Sequence, residues 1–244
     1  MRNQSIILAL LVAALLSSAA EASLSVGDRI RFSDGVGSTG GGEFGVYLKD
    51  QVNPFAGNTE SAELFRTFCL EKNEFIDFHQ NGFIIESITG SAENGGIGGP
   101  QPDPLSAQTA WLYYNFAQGT LTGYLGDTLS ADNLQKAIWG LEEEIALDPN
   151  NVFVQAANAA IASLDPLVQA NVAAAVASVR VLNIVWASDR GSFDGVYEGP
   201  TPGTLTAGDR AQSMLYIIPE ASTIAVWTVL STLGMGLAYL RRSS

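Results

Sequence analysis

Two apolar stretches, one at each end, decide how much of this chain is free to fold in water. Met1-Arg2-Asn3-Gln4-Ser5 leads into an unbroken apolar run from Ile6 to Leu16, followed by Ser17-Ser18-Ala19 and the triplet Ala20-Glu21-Ala22. A basic start, a short apolar centre and an A-x-A site describe a secretory signal peptide, and the run is too short to span a bilayer comfortably. At the other end Thr223–Leu240 carries no charge and is closed by Arg241-Arg242. Its length is near the minimum for a membrane-spanning helix, whose trailing arginines would stay cytoplasmic.

The whole tail, Pro219-Glu220-Ala221-Ser222, the apolar helix and Arg241-Arg242, resembles the PEP-CTERM sorting signal of Gram-negative bacteria. In that family a Pro-Glu-Pro element precedes a hydrophobic helix and an arginine-rich end; Ala221 stands in place of the second proline. The sorting residues implied here are Pro219, Glu220, Arg241 and Arg242. The resemblance implies two partners, an exosortase-type processing enzyme and the inner membrane reached through the C-terminal helix. It also implies export through the inner membrane to the cell surface or extracellular matrix of a Gram-negative bacterium, in company with exopolysaccharide and biofilm.

The expected organisation is therefore a signal peptide over 1–22, a secreted ectodomain over 23–218 and a sorting tail with a transmembrane helix over 219–244. The full chain has 25 acidic and 12 basic residues, net −13. Removing Glu21 and Glu220 together with Arg2, Arg241 and Arg242 takes the ectodomain to −14. Such a body has nothing to attract a phosphate backbone, which excludes a nucleic-acid partner. With one cysteine, Cys69, and one histidine, His79, there is no intrachain disulfide, no thiolate cluster and little basis for a histidine metal site. No metal and no cofactor is expected.

Within the ectodomain, alternation over 28–32 and 43–48 predicts two strands joined by the glycine-rich turn Gly35–Gly42. Leu64–Leu70 and Phe83–Ile88 read as further strands, and Glu93–Pro104 as a loop. Ser106 is a predicted N-cap for a helix over Ala107–Gln118, and Ser130 for a second helix reaching about Ala146 with Leu134, Ile138, Leu141 and Ile145 on one face. Asn151–Ala177 reads as two helices broken at Asp165-Pro166. Val179–Trp186 and Gln212–Ile218 are the last strands, the final one expected to join the sheet of the first. The fold class is α+β: sheet or barrel-like strands at both ends of the ectodomain, a central helical segment, and the C-terminal transmembrane helix.

An unpaired thiol in an exported protein is exposed to oxidation and mispairing, so Cys69 calls for an explanation. On a strand, Phe65, Thr67, Cys69 and Glu71 share a face. On the second helix, Gln135 lies about 100° round from Leu134, at the edge of the apolar stripe, with Trp139 one turn further on. The segments Phe68-Cys69-Leu70 and Gln135-Lys136-Ala137-Ile138-Trp139 resemble the thioester domains of bacterial surface adhesins, over roughly Leu64–Leu147. In that family a cysteine between an aromatic and an aliphatic residue joins the glutamine of a Thr-Gln-x-Ala-Ile-Trp motif, with loss of ammonia. Leu134 stands at the threonine position here. The resemblance implies a Cys69–Gln135 thioester flanked by Phe68 and Trp139. It also implies a partner nucleophile, an amine or hydroxyl on a surface or in extracellular polysaccharide.

Other constellations carry less. Glu142-Glu143-Glu144 point in different directions from a helix and cannot flank one glycosidic bond; a solvated helix face is expected. His79 beside Asp77 has no nucleophile elbow to serve. Asp189-Arg190-Gly191-Ser192-Phe193-Asp194-Gly195 lacks the ligand spacing of a calcium loop and reads as a turn. No catalytic residues are assigned, and the chain is read as a non-enzyme. The expected function is adhesion or attachment at the cell surface through the thioester. The alternative is a non-covalent structural protein of the exopolysaccharide matrix.

Overall fold

The computed structural model describes residues 23–49, 63–76, 78, 82–93, 96–187 and 208–218. The described elements belong to the compact unit Leu24–Ile218. They comprise β1 (Arg29–Asp34), β2 (Phe44–Leu48), β3 (Phe65–Thr67), β4 (Phe83–Thr89), β5 (Ser91–Ala92) and β6 (Asp103–Pro104). Four helices follow: α1 (Ala107–Ala117), α2 (Thr128–Leu141), α3 (Val152–Ala162) and α4 (Pro166–Ser178). The strands β7 (Val179–Trp186) and β8 (Met214–Ile217) complete the unit. The class is α+β, as expected. The predicted signal peptide, the helix Thr223–Leu240 and the four sorting residues lie outside the described residues. Among those described, no single helix is long and apolar enough to cross a membrane.

Six strands form one antiparallel sheet in the order β3-β2-β1-β4-β7-β8. Its two outer strands meet through the residues just after β3. Thr67 is paired with Phe44 of β2, whereas Cys69 is bridged to Met214 of β8. Leu70 N–H donates to the Ser213 carbonyl (2.9 Å), and the Thr67 hydroxyl to the Leu215 carbonyl (2.6 Å). The sheet thereby curls toward a barrel, which removes an exposed edge. The predicted strand Leu64–Leu70 is accordingly split: Phe65–Thr67 ladder onto β2, and residues 68–70 cross over to β8.

Alternation sorts the side chains into two cores. Ile30, Phe32, Phe44, Val46, Phe83, Ile85, Leu182, Ile184, Trp186, Met214 and Tyr216 fill the barrel interior, joined by Cys69. A register shift between Ile85 and Ser87 passes over exposed Glu86, which is why Ile88 rather than Ser87 continues the inward set. Residues of the opposite parity, Phe68, Leu70, Val179, Val181 and Leu215, face Leu134, Ile138, Phe153 and Val154 of the helices. Burial of each such large side chain is worth about 1.5–3 kcal/mol.

Local signals placed most helix ends. Ser106 caps α1, its hydroxyl accepting from Thr109 N–H at 3.1 Å. Asp165 caps α4, with Pro166 at its first position. The second helix starts earlier than predicted. Asp127 is the N-cap and Ser130 is the third helical residue, closing a reciprocal capping box. It also ends earlier, at Leu141. Glu143 takes a left-handed conformation (φ 64°) and Glu144 N–H returns to the Trp139 carbonyl at 2.8 Å, the long bond of a Schellman turn.

Candidate functional site

The sequence singled out Cys69 and Gln135, 66 positions apart, and the fold places them against each other. Gln135 Nε2 donates to the Cys69 carbonyl at 2.9 Å, and Cys69 N–H donates to Gln135 Oε1 at 3.2 Å. The carboxamide is thus held flat against the backbone of the cysteine by two opposed bonds. Cys69 N–H is shared with the Gly41 carbonyl at 3.1 Å. Cys69 is available for this because it sits where the chain leaves β2 for β8. One of its backbone faces is free of regular strand pairing, and α2 crosses there.

Gln135 was expected at the boundary between core and solvent. The structure buries it completely, with a relative exposure of 0%. The physical reason is the double layer: α2 lies on the barrel, so its stripe is broader than the Leu134–Ile138 line alone and includes Gln135 and Trp139. A buried carboxamide would be costly if unsatisfied, and the Cys69 backbone supplies one donor and one acceptor. The Cys69 side chain is in the barrel core, and burial, reinforced by the Glu74 carboxylate, pushes its thiol well above the usual range. Phe68 points the other way, edge-on to Phe116. Trp139 belongs to the same core as Cys69, and its indole N–H is buried with no hydrogen-bond partner.

A third element went unnoticed in the sequence beyond its reading as a turn. Gly41 lies directly over the Cys69–Gln135 pair. A Cβ there would fall 2.9 Å from Gln135 Cδ and 2.3 Å from Trp139 Cζ2. Only glycine lets the backbone come so close. The Gly35–Gly42 turn was recognisable from its composition; its target was not.

The triple glutamate is a correction. Only Glu143 is exposed; Glu142 and Glu144 have 5% and 3% exposure. Glu142 accepts from the Ser106 hydroxyl at 2.5 Å and from its N–H at 3.3 Å, tying the end of α2 to the start of α1. Glu144 accepts backbone N–H bonds from Lys72 (2.8 Å), Ile97 (2.7 Å) and Gly98 (3.1 Å). These three amides satisfy the oxygens of the Glu144 side chain inside the protein. Beside it lies Glu71, 1% exposed, whose two oxygens are buried without a hydrogen-bond partner. A Cβ added to Gly96 would collide with Glu71 Oε2 and Glu144 Oε1 at once. Burial first, then the Glu144 and Glu74 charges, raise Glu71 to about 9. Glu71 therefore keeps its proton at neutral pH, packed beside Glu144 in the turn after α2. Among the described residues, no group of three His, Cys, Asp or Glu side chains is arranged to hold a metal ion.

A second polar chain braces the same region. Glu43 is buried and takes both the Arg66 guanidinium and the Tyr124 hydroxyl. His79, Asp77 and 189–195 lie outside the described residues. No protein-family model matches this chain, and neither does any curated protein or solved structure.

Proposed function

We propose that this is an exported, membrane-sorted surface protein whose ectodomain resembles a thioester domain, and that it attaches covalently to a partner through Gln135. The observation that carries the reading is the mutual docking of the Gln135 carboxamide and the Cys69 backbone in a water-excluded layer. In the proposed step Cys69 Sγ attacks Gln135 Cδ. The S–C bond forms, the C–N bond breaks, and Nε2 leaves as ammonia carrying the thiol proton. Negative charge developing on Oε1 falls where Cys69 N–H already points. The resulting acyl group is activated, and burial slows its hydrolysis. A partner amine or hydroxyl then attacks Cδ, the thiol departs and recovers a proton, and the partner is left bonded to residue 135. It is a single-use reaction, consistent with a non-enzyme that needs no cofactor.

The surroundings in this reading are Phe68 and Trp139. Pro219, Glu220, the apolar helix and Arg241-Arg242 serve as the exosortase and inner-membrane address, which delivers the domain to the cell surface or extracellular matrix. A second reading is favoured by one detail. Both polar ends of the Gln135 amide are already satisfied by Cys69. An unreacted Gln135 would clamp α2 to the barrel, and the chain would serve the exopolysaccharide matrix non-covalently.

Intact-mass measurement of the exported protein separates the two. The thioester reading expects a mass short by one ammonia, restored by Cys69→Ala apart from the substitution itself. A full mass, with Cys69 alkylated stoichiometrically after unfolding, refutes it.

A further inference from the structure

We infer that the Gly35–Gly42 loop is a lid over Gln135 Cδ and that Asp132 is the positioning residue that latches it. The inference names the control of the site proposed above, although the lid geometry exists whether or not the thioester forms.

Three observations carry it. The Gly41 backbone is buried and packed on Gln135 Cδ and the Trp139 ring, so any reagent approaching from that side meets the loop first. The crest of the loop is exposed and tied down from outside. Asp132 Oδ1 accepts Ser38 N–H at 2.6 Å, and Asp132 Oδ2 accepts the Ser38 hydroxyl at 2.5 Å. The base of the loop is held separately, by Glu43 N–H donating to the Val36 carbonyl at 2.8 Å and by the Glu43 carboxylate on Arg66 and Tyr124. The crest and the base therefore have separate attachments, and between them the Gly41 carbonyl accepts only the Cys69 N–H that is shared with Gln135 (3.1 Å), which is the anatomy of a flap. Gly37, Gly40 and Gly42 all have positive φ, backbone states open to glycine at little steric cost. Asp132 lies on α2 one turn before Lys136 and three residues before Gln135, so the latch and the covered carbon share one rigid helix.

The expected consequence is a local opening, rather than global unfolding, that sets access to residues 69 and 135. The test uses the full-length protein, wild type and variants, at one pH. Iodoacetamide reports a free Cys69 thiol; methylamine incorporation at residue 135 reports a thioester. One of the two probes applies whichever state the mass measurement finds, so loss of the thioester reading leaves the lid testable. Asp132→Ala removes both latch bonds and should raise the rate of the applicable probe by roughly tenfold or more, since bonds to a carboxylate are the stronger kind. The increase should be independent of urea well below the unfolding midpoint. Ser38→Ala removes one bond and should give a smaller rise. The double variant should match Asp132→Ala alone. An unchanged rate in Asp132→Ala overturns the inference. So does a rise that appears only as urea begins to unfold the whole domain, because that is the signature of a merely destabilising substitution.

Discussion

Glu71 gives the domain a dependence on pH whose sign and size follow from its surroundings. Its carboxyl is 1% exposed and raised to about 9 in the fold, by burial and then by Glu144 and Glu74. In an unfolded chain it returns to its ordinary value of 4.5. Between those two values the native state holds a proton that the unfolded state has lost. The contribution is fully present below about pH 4.5 and falls away as pH rises toward 9. One proton corresponds to at most about 1.4 kcal/mol per pH unit, so moving from pH 5 to pH 7 would cost up to ~2.7 kcal/mol. Domains are stable by about 5–15 kcal/mol in total, so this is measurable. Glu142 and Asp103, also raised by burial, contribute with the same sign. Urea unfolding at pH 5, 6, 7 and 8 gives the slope directly. Glu71→Gln replaces the titrating group by a permanently neutral one and should flatten the slope by most of one proton while leaving stability near pH 5 little changed. A wild-type stability that climbs with pH across this window, or a Glu71→Gln variant with the wild-type slope, would show that Glu71 is ionised in the fold.

Two packing predictions follow from the same structure. Gly41→Ala places a methyl 2.3 Å from Trp139 Cζ2, and overpacking of this kind should cost about 1–3 kcal/mol. That corresponds to a drop of roughly 2–4 °C in Tm per kcal/mol for a domain of this size, read by circular dichroism; an unaltered Tm would mean the loop does not lie on α2. Asn183 is a buried hub. Its Oδ1 accepts from Glu93 N–H at 2.9 Å and from the Ser213 hydroxyl at 3.1 Å, while its Nδ2 donates to Ser87, Thr89 and the Ser91 carbonyl. Asn183→Ala should destabilise by about 2–4 kcal/mol, because buried Ser213 and the half-buried Ser87, Thr89, Ser91 and Glu93 all lose bonds at once. In urea titration, a loss below ~1 kcal/mol would argue that water replaces the amide there.

What could be read in advance was local. Ser106 announced α1 three residues before its bond to Thr109, and Asp165-Pro166 broke the long apolar stretch into α3 and α4, because caps and proline act within a turn. Strand-forming composition and turn punctuation likewise marked β1, β2, β4 and β7. Where a longer reach intervened, the reading slipped. Ser130 and Asp127 both fit the local pattern of a cap, and the fold uses Asp127. Glu142 and Glu144 were placed in solvent because charged residues usually are. Their partners, the amides of Lys72, Ile97 and Gly98 and the hydroxyl of Ser106, come from 36 to 72 positions away.

The sequence by itself determined that one cysteine stands unpaired, that Gln135 shares a helical stretch with Trp139, and that a glycine-rich turn joins the first two strands. Periodicity and composition are properties of neighbours along the chain, and they were enough for that. Only the tertiary structure decided that these three features occupy one place. The chain must leave β2 for β8 at Cys69 to close the sheet, α2 must lie across that crossover to bury its apolar face, and Gly41 must be bare for the loop to pass between. Each condition depends on surfaces meeting across long stretches of chain, where burial of apolar area and satisfaction of backbone polar groups, rather than local preference, select the arrangement.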